Sequence, residues 1–300
     1  MKIRLLSGSV YIALLAAFYL MKIFVPVYGA FCFDALVYAF SLLGTHEMLR
    51  AMGNRITKTQ RGLVTMFSVV CIPVVSVFEY FYGTGITAGA LSFFALSIAL
   101  VALLVCKHEE TTIESVGVSF LSAVYPTLLL CVLTLINHAQ IESGSALLEV
   151  AFNSNLMILF VFVISPVSDS LAYLFGRFFR KYFPKPLAPK ISPNKTVIGG
   201  VGGLVGGMLG ALILYFAYNA VAGSFVNTGL WLFVYLGVGL LSAIATAFGD
   251  LVESCIKRKV GLKDMGKIMP GHGGVLDRID GTLFASIVVY GVFILLRAVL

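Results

Sequence analysis

Nine long apolar segments, separated by short polar stretches, make up most of the chain. They cover residues 3–24, 30–48, 63–82, 86–106, 116–136, 151–175, 197–218, 230–248 and 282–299. A helix needs about 20 mostly apolar residues to cross the hydrocarbon core of a bilayer, and each segment is close to that length. The second segment is the weakest because Asp34 and His46 interrupt it. The pattern predicts an all-α polytopic membrane protein with about nine transmembrane helices.

The distribution of basic residues predicts how these helices are oriented. Nineteen of the 21 Lys and Arg residues lie at the N-terminus or in the loops after the second, fourth, sixth and eighth segments. In a nine-helix arrangement all of these positions share one side, and only Lys22 and Arg297 fall outside the set. Cytoplasmic loops carry an excess of Lys and Arg. We therefore expect a cytoplasmic N-terminus, which begins with a transmembrane helix and not with a cleaved signal peptide.

Composition excludes most soluble classes of protein. Apolar residues make up 59% of the chain and charged residues 12%, against about 25% charged residues in soluble domains. The net charge of +7 would favour nucleic-acid binding in a soluble protein. No zinc-finger, RGG or aromatic-basic motif accompanies it, so we expect membrane lipids and no nucleic acid as partners.

No polar stretch is long enough to form a separate soluble domain. We expect residues 1–150 to form N-terminal transmembrane helices that serve packing, lipid access or oligomer contacts. Residues 151–300 are expected to form a transmembrane catalytic region that faces the cytoplasm. Within that region, small residues recur at three- and four-residue spacing over residues 199–210. This spacing predicts close helix packing in preference to a glycine loop around a nucleotide.

One dense polar stretch, residues 254–280, lies between the last two apolar segments, and we call it the polar island. It contains six basic residues, five glycines, one histidine and three aspartates. Charges are costly near a bilayer core, and ionisable residues kept there commonly serve a function. The polar island is therefore predicted to be a site.

Two acidic pairs border the polar island. Asp250 and Glu253 are three residues apart at the end of the eighth segment, and Asp277 and Asp280 have the same spacing before the ninth. Carboxylates shared with substrate phosphates are the usual ligands of Mg²⁺. The alternative is an ion-paired loop in which these acids neutralise the neighbouring bases.

Basic residues and a glycine turn lie between the acidic pairs. Lys257, Arg258 and Lys263 offer positive charge, and the turn at residues 270–274 lets backbone amides approach an anion. His272 lies in that turn. A phosphate-contacting role is preferred for it over a role as general base. This combination predicts a site for a polyphosphate and a divalent metal ion.

Two further polar clusters precede the polar island. Asp169 lies between Ser168 and Ser170 near the end of an apolar segment, where an aspartate is costly, and a functional role is favoured. Residues 190–196, KISPNKT, combine lysines and hydroxyls just before a helix. This stretch suits phosphate binding and an ordinary basic cytoplasmic loop equally well.

The polar island resembles the signature of the phosphatidate cytidylyltransferases, the CDP-diacylglycerol synthases. The matching positions are Ser254, Lys257, Arg258, Lys263, Asp264, 270–274, Asp277, Arg278 and Asp280. Residues 169–173, 190–196 and 249–250 also resemble that family. The chain departs from the family at Val197 and Ile198, where an aromatic residue and then Glu or Gln are usual, and at Met269.

The resemblance implies that the phosphate of phosphatidic acid attacks the α-phosphorus of CTP, giving CDP-diacylglycerol and pyrophosphate. It implies that Mg²⁺ is bound by Asp250, Asp277 and Asp280. The residues expected to act in catalysis are Asp250, Lys257, Arg258, Lys263, His272, Asp277, Arg278 and Asp280. Those expected to bind CTP are Asp169, Lys190, Ser192, Lys195, Thr196, Ser254, Gly273 and Gly274.

Several alternatives stay open from the sequence. A CTP-dependent polyprenol or phytol kinase would transfer the γ-phosphate, and an ion-coupled transporter would use the acidic residues as a coupling-ion site. The resemblance also leaves open a second metal ion and a homodimer. The expected location is the inner membrane of a bacterium, with the active site facing the cytoplasm.

Overall fold

The computed structural model describes residues 2–25, 28–139, 151–222, 228–271 and 273–299. In these ranges, nine helices are long and apolar enough to cross a membrane, which confirms the predicted fold class. The cytoplasmic location of the N-terminus stays a prediction.

The helices are named in chain order. They are α1 (Lys2–Phe24), α2 (Gly29–Met52), α3 (Lys58–Tyr82), α4 (Gly85–Cys106), α5 (Ile113–Ala123), α6 (Leu129–His138), α7 (Ser154–Phe179), α8 (Val197–Ala222), α9 (Thr228–Lys259) and α10 (Leu276–Val299). A π-helical turn at Val124–Leu128 joins α5 to α6, so that the two form one span. Pro126 lies in this turn, where its missing amide donor and its ring disturb regular helical bonding.

The chain divides into two compact units. One unit contains Met1–His138 and Lys259–Arg278, and the other contains Ala139–Arg258 and Ile279–Leu300. We call them the first and the second unit. Most of the polar island thus belongs to the same unit as the N-terminal helices. The functional division predicted at residue 150 stays a prediction.

Polar side chains within the first unit satisfy one another away from solvent. Asp34 is 5% exposed, and its Oδ2 lies 2.5 Å from His138 Nε2. Asn137 Nδ2 donates to Asp34 Oδ1 at 2.8 Å, and Ser76 Oγ donates to Oδ2. This network offsets the cost of a buried carboxylate. It explains how the second apolar segment remains a helix despite Asp34.

Glycines let the helices of the second unit approach each other closely. A Cβ atom at Gly206 would lie 2.9 Å from Ser168 Cα on α7, and one at Gly207 would lie 2.4 Å from the Gly239 carbonyl oxygen on α9. Any larger residue would force these helices apart. The close packing predicted for residues 199–210 is confirmed.

A small antiparallel hairpin precedes α8 in the second unit. It pairs β1 (Pro186–Ala188) with β2 (Ser192–Thr196), with Pro186 opposite Thr196 and Ala188 opposite Ser192. The sequence indicated a polar stretch before a helix but no strand. Thr196 ends the hairpin and caps the helix, because its Oγ1 accepts from the Gly199 amide at 3.1 Å.

Candidate active site

Carboxylates from three helices interact in the second unit. Asp280 on α10 experiences the negative charges of Asp250 on α9 and Asp169 on α7. Oδ1 of Asp280 also accepts a hydrogen bond from the Gly281 amide at 2.8 Å. A nearby positive charge favours the ionised form of such carboxylates, so a cation would stabilise this group. Asp169, Asp250 and Asp280 were each predicted as site residues from separate parts of the sequence, and their roles stay predictions.

Glycines next to two of these aspartates hold α9 and α10 close together. A Cβ atom at Gly249 would lie 2.6 Å from the Asp280 carbonyl oxygen, and one at Gly281 would lie 2.6 Å from Thr246 Cγ2. Both distances are far below van der Waals contact. The absence of side chains at Gly249 and Gly281 therefore lets Asp250 come near Asp280.

Basic residues neutralise part of this acidic group. Lys195 on β2 forms an ion pair with Oδ2 of Asp250, and Ser254 Oγ lies 3.4 Å from Oδ1. Lys257 forms an ion pair with Glu253 one turn earlier on α9. Glu253 is 1% exposed, so this acid serves a buried pair within its own helix. The hairpin brings Lys195 to Asp250, a contact that sequence spacing alone does not reveal.

In the first unit, Asp277 organises the glycine turn of the polar island. Its Oδ2 accepts hydrogen bonds from the amides of Met265, at 2.9 Å, and Gly274, at 2.8 Å. Gly271 and Gly273 adopt φ values of 78° and 91°, which side chains other than hydrogen strongly disfavour. The Met269 amide donates to the Gly273 carbonyl at 2.9 Å and closes the turn.

Beside this turn lies a depression with a volume of about 440 Å³. Its lining residues are Lys263, Asp264, Gly266, Lys267, Met269, Pro270, Gly271, Gly273 and Arg278. Three of them are exposed bases: Lys263, Lys267 and Arg278. Such a concentration of positive charge around a backbone turn suits an anion with several phosphates. Lys267 was not among the predicted site residues, although it lies in the same sequence stretch.

For some of the other predicted residues the structure gives only the exposure or the position in an element. Lys190 and Arg258 are exposed, and Ser192 begins β2. His272 lies outside the described residues, so its predicted contact with phosphate stays a prediction. The assignment of the other predicted residues to CTP or to catalysis also stays a prediction.

Like Lys267, a second residue of this region was not predicted from the sequence. Glu47 on α2 is 1% exposed, and its carboxylate accepts from the amides of Val275 and Leu276 at 3.1 and 3.0 Å. The available signal was an acidic residue inside an apolar segment, the same signal that marked Asp34. It was overlooked because Glu47 is far from the polar island in sequence.

The carboxylates near the predicted metal site have the donor chemistry that Mg²⁺ takes. Among the residues that the structure describes, no group of three or more His, Cys, Asp or Glu side chains is arranged to hold a metal ion. Mg²⁺ usually takes one or two carboxylates and completes its shell with water and substrate phosphates. Asp250 and Asp280 lie where α9 and α10 approach closely, and their carboxylate oxygens are donors of the kind that such an ion takes.

Comparisons with known proteins show which family the chain resembles. The cytidylyltransferase family model matches residues 2–296. The phosphatidate cytidylyltransferase of Bacillus subtilis is 30% identical over 291 residues, which cover 97% of this chain and 96% of that protein. The enzyme of the same name from Helicobacter pylori is 54% identical over 71 residues, which cover 23% of this chain and 27% of that protein.

A third relative is similar over somewhat less than half of its length. The phosphatidate cytidylyltransferase of Thermotoga maritima is 36% identical over 134 residues, which cover 44% of this chain and 47% of that protein. The predicted resemblance is confirmed by the nearly full-length family match. The chain belongs to the cytidylyltransferase family.

Proposed function

We propose that this protein transfers a cytidylyl group from CTP to phosphatidic acid, releasing CDP-diacylglycerol and pyrophosphate. The observation that carries the proposal is the similarity to the Bacillus subtilis enzyme over 97% of the chain. The cationic depression of the polar island and the nine membrane-spanning helices support it. Neither the lipid kinase nor the transporter is supported by the relatives.

The reaction balances without a covalent enzyme intermediate. A phosphate oxygen of phosphatidic acid forms a bond to the α-phosphorus of CTP, and the bond from that phosphorus to the β-phosphate oxygen breaks. Positioning and charge neutralisation supply most of the catalysis in phosphoryl-type transfer. In this proposal Lys263, Lys267 and Arg278 hold the triphosphate and neutralise the departing pyrophosphate.

The metal assignment is retained as part of the proposal. On the sequence signature, Asp250, Asp277 and Asp280 would hold Mg²⁺, which supplies positive charge to the phosphate oxygens. Lys195, paired with Asp250, keeps that carboxylate oriented. Lys257, Arg258 and Lys195 add positive charge for the phosphates of both substrates. The proposal stands with one metal ion or with two.

The orientation and the assembly are further parts of the proposal. The basic loops and the bacterial relatives support a site that faces the cytoplasm from the inner membrane. A homodimer is proposed as the working assembly. Mass measurement of the protein in lipid nanodiscs tests it, and a uniformly monomeric active enzyme contradicts it.

The test is an assay of purified protein in nanodiscs with CTP, Mg²⁺ and phosphatidic acid. We expect equal amounts of pyrophosphate and CDP-diacylglycerol, and neither product when phosphatidic acid is replaced by phosphatidylcholine. Polyprenol in place of phosphatidic acid tests the kinase alternative, which releases CDP. Failure to form CDP-diacylglycerol, in a preparation that is monodisperse and inserted, overturns the proposal.

A further inference from the structure

A buried carboxylate on α2 ties this helix to the glycine turn of the polar island. Oε1 of Glu47 accepts from the Val275 amide at 3.1 Å, and Oε2 accepts from the Leu276 amide at 3.0 Å. Helix α10 begins at Leu276, and the first amides of a helix lack partners within it. Glu47 therefore supplies, from another helix, the cap that the start of α10 needs.

Two glycines make room for this carboxylate. A Cβ atom at Gly274 would lie 2.4 Å from both Glu47 carboxylate oxygens, and its three nearest neighbours would all be atoms of Glu47. A Cβ atom at Gly266 would lie 1.9 Å from Glu47 Oε1 and 2.6 Å from Gly274 Cα. Glycine at positions 266 and 274 is thus explained by the volume that the Glu47 side chain occupies.

The same helix contacts the other side of the turn. Arg50 Nη2 donates to the Met265 carbonyl at 3.0 Å, one helical turn after Glu47. The amides of Met265 and Gly274 both donate to Asp277. Glu47 and Asp277 therefore bind adjacent amides of one turn, so that displacement of Glu47 disturbs the backbone that holds Asp277.

We infer that Glu47 is a positioning residue that fixes the glycine turn and Asp277 in the shape required for cytidylyl transfer. Glu47 is buried, so it acts through the turn and not by contact with substrate. This role rests on the proposed function only for its effect on turnover. The hydrogen bonds from the Val275 and Leu276 amides to Glu47, which we call the clamp, are a property of the folded chain. Hydrogen-exchange measurements detect them without substrate.

The first test compares Glu47→Gln with wild type by amide hydrogen exchange and by kinetics in nanodiscs. Gln keeps one acceptor oxygen but places an NH₂ group against a backbone donor. We expect exchange at residues 275–276 to accelerate about tenfold or more, with helix α4 unchanged. We expect kcat/KM for CTP to fall about tenfold or more. The exposed Glu109→Gln is the matched control and should leave both quantities unchanged.

The second test is a double-mutant cycle between positions 47 and 274. Gly274→Ala alone should accelerate exchange in the turn, because its methyl group collides with the carboxylate. In a Glu47→Ala background the same change should add little, because the space has been vacated. Gly266→Ala is the comparison: its collision with Glu47 disappears in that background but its collision with Gly274 Cα persists, so its effect should be relieved only in part.

The outcomes separate this inference from the proposed function. Additive effects of Glu47→Ala and Gly274→Ala on exchange, or Glu47→Gln exchange equal to wild type, overturn the clamp. If the wild-type protein lacks transferase activity while the effects of the two substitutions on hydrogen exchange are non-additive, the proposed reaction is wrong and the clamp is supported. If exchange changes as expected but Glu47→Gln retains wild-type kcat/KM for CTP, the positioning role is overturned.

Discussion

At the residue scale, Asp277 combines a structural contact with a charge. Its Oδ2 accepts two backbone amides, a task that the amide oxygen of an asparagine can also perform. Asp277→Asn therefore removes the charge while the turn keeps its shape. The metal assignment requires that charge, whereas an exclusively structural role does not.

We expect Asp277→Asn to lower turnover by about a thousandfold or more, because a metal ligand would be lost. Its melting temperature in detergent should stay near that of wild type. Asp277→Ala serves as the comparison and should lower both quantities, because the two amides lose their acceptor. Near-normal turnover of Asp277→Asn would refute the metal assignment.

Thr196 offers a second prediction at this scale. Its hydroxyl caps α8, and a threonine cap contributes about 1 kcal/mol to stability. Thr196→Ala should therefore lower the free energy of unfolding by about that amount, and Thr196→Ser should restore most of it. Thermal melting measures the effect. An unchanged stability with a raised KM for CTP would instead favour the nucleotide-binding role predicted from sequence.

At the element scale, the crossing of α9 and α10 depends on Gly249. Gly249→Ala would place a methyl group 2.6 Å from the Asp280 carbonyl oxygen and from Phe284 Cδ2. Overpacking of this kind typically costs about 1–3 kcal/mol. We expect a lower melting temperature and a loss of turnover, since Asp250 and Asp280 would move apart.

Gly237→Ala is the matched control, because it lies in the same helix and its Cβ would meet no atom within 4 Å apart from the adjacent backbone of that helix. In a helix interior, alanine is favoured over glycine by about 1 kcal/mol. Gly237→Ala should therefore be neutral or stabilising. Equal behaviour of the two variants in melting and turnover would contradict the importance of the crossing.

The elements also show which parts of the fold a sequence can predict. The nine spans were predictable because length and hydropathy are read directly from the chain. The hairpin was missed because Ser192–Thr196 is short, polar and contains a proline, features that oppose a strand. Helix α9 continues to Lys259, well beyond the predicted apolar segment. The segment ended early because a fall in hydropathy marks the edge of the membrane and not the last helical residue.

The candidate site was predictable only where its residues are contiguous. The polar island stood out because its charges and glycines cluster in sequence. The contacts of Lys195 with Asp250 and of Glu47 with Val275 join distant parts of the chain, so no local pattern marks them. The importance of Gly249 and Gly281 for helix packing is visible only in the folded structure, where a side chain at either position would collide with the neighbouring helix.

At the scale of the whole molecule, the predicted topology remains to be tested. In a variant without native cysteines, Asn54→Cys and Lys181→Cys should be protected from a membrane-impermeant maleimide applied to intact cells. Thr84→Cys, at the opposite end of α3, should be labelled. The distribution of basic residues is the physical basis of this prediction. The reverse labelling pattern would place the N-terminus outside the cytoplasm.

The volume shared by Glu47, Gly266 and Gly274 has a consequence for the evolution of the family. Neither Gly266 nor Gly274 has room for a side chain while Glu47 is present, because one carboxylate fills the space that two side chains would need. We expect the three positions to covary among relatives, with a shorter residue at 47 wherever 274 is no longer glycine. Frequent pairing of glutamate at 47 with a larger residue at 274 in an alignment would contradict this. A substitution history can thus record a contact between residues more than two hundred positions apart.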